Sequence, residues 1–164
     1  MKHRFSELFA TEGDGLTIRV RQIALGDRDD WHRLYLAYLE FYETEPVDAS
    51  VELVWARLTG KNPEIQGLVA EEDGQVIGIT HFHYQVSTWA DAGHCYLEDL
   101  FVDERSRGKG AAAALISEVK ELAKSRGCSE LFWITRSTNQ TARRLYDRVA
   151  SATDFVRYEI KLDL

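Results

Sequence analysis

The chain has 164 residues, 45% of them hydrophobic, which is the length of one domain with enough apolar material for a core of its own. A formal net charge of -7 at pH 7 argues against non-specific nucleic-acid binding, which depends on a basic surface, and weakly favours a cationic substrate through long-range attraction. Two unclustered cysteines (Cys95, Cys128), no stretch of membrane-spanning length and no apolar run ahead of a cleavage site after Met1-Lys2-His3-Arg4-Phe5 lead to the expectation of a reduced, cytoplasmic protein without membrane contact, disulfide framework or metal site.

In chain order, residues 1–15, with Gly13 and Gly15, read as a flexible N-terminal segment, leaving a single domain over 16–164. Residues 16–22 alternate as a first strand. A helix is predicted over 27–42, capped by Asp27, with Trp31, Leu34, Tyr35, Tyr38 and Leu39 on its apolar face and Glu45-Pro46 closing it. Val51, Val54, Trp55 and Leu58 mark a second short helix that ends near Gly60 and Pro63. Strands over 68–71 and 76–84 flank Glu72-Asp73-Gly74-Gln75, whose Asp-Gly pair signals a hairpin. Residues 95–102 form the next strand. A helix follows from near Gly108, with Leu115, Ile116, Val119, Leu122 and Ala123 on one face. A strand over 131–135 and one or two closing strands over 153–162 complete an alternating α/β order.

Residues 96–112 hold the most information. Leu97, Leu100, Phe101 and Val102 read as a buried strand that runs into a turn with Gly108 and Gly110, where backbone can approach a ligand with no Cβ in the way. A helix starting there sets its first-turn N–H groups and the positive end of its dipole over the turn, so an anion is the expected occupant. Two nucleotide motifs do not fit. Lys109 is followed by Gly110 rather than the Ser or Thr of a P-loop, and position 113 is Ala where the dinucleotide fingerprint needs its third Gly.

Arg107-Gly108-Lys109-Gly110-Ala111-Ala112 resembles the R-x-x-G-x-(G/A) acetyl-CoA signature of the GNAT superfamily of N-acetyltransferases, and 96–102 is similar to the Y-L-E-D-F/L-F-V strand of its diamine (spermidine-type) branch. Asn139, Ala142, Leu145 and Tyr146 repeat the N-x-x-A-x-x-L-Y helix of such enzymes. The resemblance implies a GNAT-type fold, a mixed and mostly antiparallel central sheet with helices on both faces, and acetyl-CoA as cofactor. It implies that the backbone of Leu100, Phe101 and Val102 pairs with the pantetheine amides, and that the amides of Arg107, Gly108, Lys109, Gly110, Ala111, Ala112 and Ala113 hold the pyrophosphate. Asn139 is implied to steady the pantetheine arm or the adenylate side, with Ala142 on the same matched helix, and Arg143 is placed to reach a cofactor phosphate or else to face solvent. A homodimer is typical of the resembling branch.

Acetyl transfer needs a neutral amine and an acid for the departing thiolate. Tyr146 lies two helical turns after Asn139 on one face, so both can point at one extended ligand, and by resemblance Tyr146 protonates the sulfur. Glu98 and Asp99 are carboxylates in an apolar strand, costly to bury, and therefore suggest a cavity. As strand neighbours they face opposite sides unless a bulge intervenes. Resemblance favours Glu98 as base through water, with substrate recognition as a second role, while Asp99 binds the amine or fixes the loop. Tyr42, Glu43, Trp89 and Tyr96 are suitable walls for an alkylammonium. His81 and His83 share a strand face without a third ligand at useful spacing and read as site-lining or surface residues; His94-Cys95 makes a poor nucleophile pair. The expected activity is transfer of acetyl from acetyl-CoA to a primary amine of a small molecule: a polyamine, an amino acid or a lysine-like amine. A non-catalytic acyl-CoA-binding domain and a peptide or protein amine acetyltransferase are the competing readings.

Overall fold

Near-continuous apolar runs, Leu68-Val69-Ala70 and Val76-Ile77-Gly78-Ile79, build the centre of the sheet that carries the candidate site, as strands covered on both faces require. The computed structural model describes residues 18–61 and 63–162, so the N-terminal segment expected over 1–15 lies outside the described residues. The chain divides into two compact units, Met1–Ile134 and Thr135–Leu164. In the first, β1 (Ile18–Gln22), β2 (Gln66–Glu72), β3 (Gln75–Gln85), β4 (His94–Val102) and β5 (Leu131–Phe132) form one sheet in that order. All neighbours are antiparallel except β4 and β5. The β2–β3 connection is the expected hairpin: Glu72 pairs with Gln75, and both turn residues take positive φ, 51° at Asp73 and 80° at Gly74.

Helix α1 (Arg28–Phe41) buries Trp31 and Leu34, and α2 (Asp48–Thr59) buries Val51 and Leu58; these join Val69, Ile79 and Phe101 in one core cluster. Helix α3 (Ala111–Arg126) buries Ala111, Leu115, Ile116, Val119 and Ala123. A Cβ placed on Gly78 would stand 3.4 Å from Leu115, whereas the next residue, Ile79, packs in the cluster with Trp31. Strand neighbours point to opposite faces, so α1 and α3 cover opposite faces of the sheet, as expected.

Asp27 does not cap α1 with its side chain. Its carboxylate instead takes the Arg21 guanidinium in two hydrogen bonds of 2.6 and 2.7 Å and the Ala24 amide at 2.7 Å. A charged donor fork outcompetes a neutral amide for the same oxygens.

The second unit holds α4 (Gln140–Val149), capped by Asn139. The closing strands expected over 153–162 do not form, and the strand expected over 131–135 stops at Phe132. Val156, Tyr158, Ile160 and Leu162 keep the period-2 apolar pattern of a strand yet stand 71 to 90% exposed. A strand pattern becomes a strand only where a second edge supplies hydrogen-bond partners, and none reaches this segment among the described residues.

Candidate active site

The anion cradle is assembled from β4, the turn after it and the start of α3. Strand β5 pairs with β4 only at Cys95 with Leu131 and Tyr96 with Phe132. Beyond those two pairs the outer edge of β4, through Leu100, Phe101 and Val102, carries no strand among the described residues. Gly108 and Gly110 hold φ of 82° and 95°, and a Cβ at either would meet nothing within 4 Å, so each faces open space on a backbone that L side chains rarely adopt. Ala114 N–H bonds back to Gly110 O at 3.0 Å, which leaves the first-turn N–H groups of Ala111, Ala112 and Ala113 without an intrahelical acceptor.

The side chains of the turn are engaged elsewhere. Arg107 donates from Nε to Val102 O at 3.2 Å and from Nη1 to Glu104 at 3.1 Å, and its guanidinium lies over Phe101. Lys109 Nζ is 2.7 Å from Glu72 Oε2. The cradle therefore attracts an anion through backbone dipoles, with its two cationic side chains fixing the turn against β4 and β2.

A β-bulge decides where the two carboxylates point. Asp99 pairs with His81 and Leu97 with Phe82, so Glu98 is the extra residue on β4. Glu98 Oε2 lies 3.4 Å from His83 Nε2, and Asp99 Oδ2 lies 2.8 Å from His81 Nδ1. His81 and His83 are two apart on one strand, so both carboxylates emerge on the α1 face rather than on opposite faces. The expectation of one carboxylate per face is replaced by two on the same side.

Aromatic residues of α1 close over this acidic patch. Burial first, then the charges of Asp99 and Glu98, push the Tyr35 phenol up to about 12. Burial, the Asp99 charge and a hydrogen bond to Asp99 raise Tyr38 far above the ordinary phenol range. Both rings stay neutral at physiological pH. Tyr42 meets Tyr38 edge-on with centroids 5.0 Å apart, and Tyr96 lies 5.4 Å from the His83 ring. Of the predicted walls, Tyr42 and Tyr96 thus border the patch.

Glu43 follows the end of α1 with φ 56°, a left-handed non-glycine residue whose N–H bonds to Glu40 O while Thr44 N–H reaches Leu39 O, both at 2.9 Å. Trp89 is not gathered in: it stands 92% exposed between β3 and β4. Cys95 is buried, and burial followed by the nearby Cys128 pushes its thiol up to about 12, which leaves it protonated and unsuited to nucleophilic work. Among the described residues no group of three potential ligands could hold a metal.

The remaining predicted residues belong to the second unit. Asn139 Oδ1 accepts the Ala142 amide at 3.2 Å as the cap of α4, and its Nδ2 donates to Thr135 Oγ1 at 3.3 Å. Arg143 donates to Ser137 O at 3.1 Å. Tyr146 is partly exposed two turns after the cap. Sequence reasoning missed Tyr35 and Tyr38 as site residues and His81 as a partner of Asp99. Trp31, Tyr35 and Tyr38 follow the helical spacing of an apolar face, a pattern that core and site wall share, so of this row only Tyr42 at its end reads as a wall in the sequence.

Residues 28–150 match the Acetyltransferase (GNAT) family. The D-amino-acid N-acetyltransferase of Saccharomyces cerevisiae is 31% identical over 144 residues, covering 87% of this chain and 89% of that protein. Thialysine N-epsilon-acetyltransferase of Mus musculus is 31% identical over 137 residues, covering 78% of this chain and 80% of its own length. Among solved structures, an aminoglycoside N-acetyltransferase in complex with CoA shares the fold with a TM-score of 0.71 at 21% identity, covering 90% of this chain and 97% of that one.

Proposed function

The chain belongs to the acetyltransferase (GNAT) family and is an N-acetyltransferase of small-molecule amines; from that premise we propose that it uses acetyl-CoA bound along β4 and the turn before α3, and acetylates a terminal amine held at Glu98 and Asp99. The cradle fits such a group. Gly108 and Gly110 leave open space beside outward-facing amides, and the outer edge of β4 has backbone free to pair with an extended amide chain. Bound there, acetyl-CoA supplies an activated acyl thioester.

The amides from Arg107 through Ala113 hold the pyrophosphate, and Leu100, Phe101 and Val102 align the pantetheine arm. Asn139, Ala142 and Arg143 are proposed as further cofactor contacts by likeness to the family. Glu98 Oε2, with 46% of its side chain exposed, removes the proton of the incoming ammonium through a water. The Tyr146 hydroxyl delivers a proton to the departing sulfur. Asp99 binds the ammonium, with Tyr35, Tyr38, Tyr42 and Tyr96 as its walls and Glu43 and Trp89 as outer contacts.

The bulge carries the choice of acceptor. Two carboxylates on one face repel a substrate whose own carboxylate adjoins the reacting nitrogen, so a terminal amine set apart from any acid, as in thialysine or a polyamine, suits the site better than the α-amine of a D-amino acid. Thiol release from acetyl-CoA is the assay, with thialysine, spermidine, lysine, D-phenylalanine and a short peptide as acceptors. We expect kcat/KM for thialysine or spermidine to exceed that for D-phenylalanine by about tenfold or more, a gap of about 1.4 kcal/mol in transition-state binding. A preference for D-phenylalanine would overturn the acceptor assignment; acetyl-CoA binding with no release on any amine would overturn catalysis.

We further propose that residues 16–164 act as one domain, in the cytoplasm, as a homodimer. No helix among the described residues is long and apolar enough to cross a membrane. The exposed apolar side chains of Val156, Tyr158, Ile160 and Leu162 support self-association, since burying them against a second copy would remove them from water. A monomeric mass in sedimentation at micromolar concentration would remove the dimer.

A further inference from the structure

A buried polar line on the α1 side of the sheet leads to Asp99, and its consequence rests on the reading of Glu98 and Asp99 as the amine side of the site. The Trp31 indole donates from Nε1 to His81 Nε2 at 2.9 Å, with Trp31 0% and His81 1% exposed. An indole nitrogen can only donate, so His81 Nε2 accepts and the ring proton sits on Nδ1. Nδ1 is 2.8 Å from Asp99 Oδ2 and donates to that carboxylate. An imidazolium would oppose N–H to N–H across the Trp31 contact, so the indole selects both the tautomer and the neutral ring. Tyr38 faces Asp99 from α1, its phenol held above the ordinary range by burial and then by the Asp99 charge.

We propose that His81 is a positioning residue: Trp31 fixes its tautomer, and its Nδ1–H locks the Asp99 carboxylate in the orientation that receives the acceptor ammonium. The groups facing Asp99 are His81 from β3, Tyr35 and Tyr38 from α1, and its neighbour Glu98 on the bulge, which itself stands beside His83. A carboxylate fixed through one oxygen by a buried imidazole N–H keeps its other oxygen to hold a cation. Glu98, half open and 3.4 Å from His83, keeps lone pairs available for the proton. The bulge thus separates the two acids into anchor and base. An aliphatic residue at position 81 would leave the buried Trp31 Nε1–H without its acceptor and Asp99 without its imidazole donor, so His81 in this tautomer is what satisfies both ends of the chain.

The test reads the ring directly. Long-range nitrogen–proton correlation spectra of histidine-labelled protein are expected to contain one ring protonated at Nδ1 with an acceptor Nε2, assigned to His81 by its loss in His81→Asn. In Trp31→Phe, which keeps ring bulk and removes the donor, that ring should become a tautomer mixture. Kinetics follow with the best acceptor of the panel above. His81→Asn retains an N–H near the Nδ1 position and should keep the amine KM within about twofold, whereas His81→Leu should raise it about tenfold, the loss of one hydrogen bond to a charged group, with the acetyl-CoA KM unchanged in both.

An Nε2-protonated His81, or equal amine KM effects in the Asn and Leu variants, overturns the positioning role. Should His81→Leu not fold, Trp31→Phe carries the kinetic arm: an amine KM no higher than wild type then overturns it. Asp99→Asn separates this from the underlying reading, because an unaltered amine KM beside an intact Nδ1–H ring removes Asp99 from amine binding and leaves the tautomer relay standing.

Discussion

At the scale of single residues, Glu98 and Tyr146 are assigned opposite proton movements and so should fail differently. Glu98→Gln keeps size and hydrogen-bonding shape but cannot take a proton, and kcat on the best amine should fall by about 10²-fold or more, the usual contribution of a general base. Tyr146→Phe should lower kcat by a similar factor while acetyl-CoA affinity stays within about twofold, because only the transition state gains from the hydroxyl proton. Stopped-flow thiol release and calorimetric titration of acetyl-CoA separate the two effects. A Glu98→Gln enzyme with wild-type turnover would make Asp99 or His83 the better candidate for base. The glycine cradle is legible in the sequence because a positive-φ turn is written in local chemistry, at Gly108 and Gly110 themselves. The bond between Trp31 and His81 is not: it joins positions fifty residues apart, and neither residue type announces it.

Elements show where local signals end and pairing takes over. The Asp73-Gly74 hairpin forms where expected because both positive φ values belong to the dipeptide. The bulge at Glu98 depends on which β3 residue lies opposite, and no property of β4 alone fixes that register. The segment over 153–162 is the converse case, a strand pattern without an edge to join. Helix α1 carries a local conflict of its own. It ends in a Schellman motif whose left-handed position is occupied by Glu43 instead of Gly. Holding an L residue there costs about 1 kcal/mol, partly offset by the greater unfolded-state entropy of Gly, so Glu43→Gly should raise stability by about 0.5 kcal/mol and the melting temperature by about 1–2 °C. Strain of this kind persists where function needs the side chain. The same variant should therefore raise the amine KM while leaving the acetyl-CoA KM alone; a higher melting temperature with unchanged KM would confine Glu43 to ending the helix.

Across the whole chain, two sets of ionisable groups bound the pH range over which the fold is most stable. Arg21 ties β1 to β2 and to the start of α1 through Asp27 and Glu71. Its hydrogen bonds hold the Asp27 carboxyl below the ordinary value of 3.8, against the opposing effect of burial, with further lowering from the Ala24 amide. A lowered folded pKa means that the unfolded chain binds the proton first. The Asp27 contribution is thus present above about pH 4 and is lost as pH falls through the folded value. Tyr35 and Tyr38 act at the other end. Their folded pKa values lie above the ordinary 10.0, so the unfolded chain loses its phenol protons first, and stability declines as pH rises beyond 10. Asp27→Asn tests the acid side cleanly, since it keeps the volume and removes the charge facing Arg21. At pH 7 it should lose about 2 kcal/mol in urea unfolding, the range for a hydrogen-bonded charged group, with the gap to wild type narrowing as pH falls below 4. A gap constant from pH 7 down to pH 2 would show that Asp27 stabilises through shape alone and that the Arg21 cluster does not set the acid limit. Tyr38→Phe should make the decline above pH 10 shallower and, because the Tyr38 hydroxyl stands beside Asp99, weaken amine binding at neutral pH. That one residue links the alkaline limit of the fold to the anchor of the acceptor site.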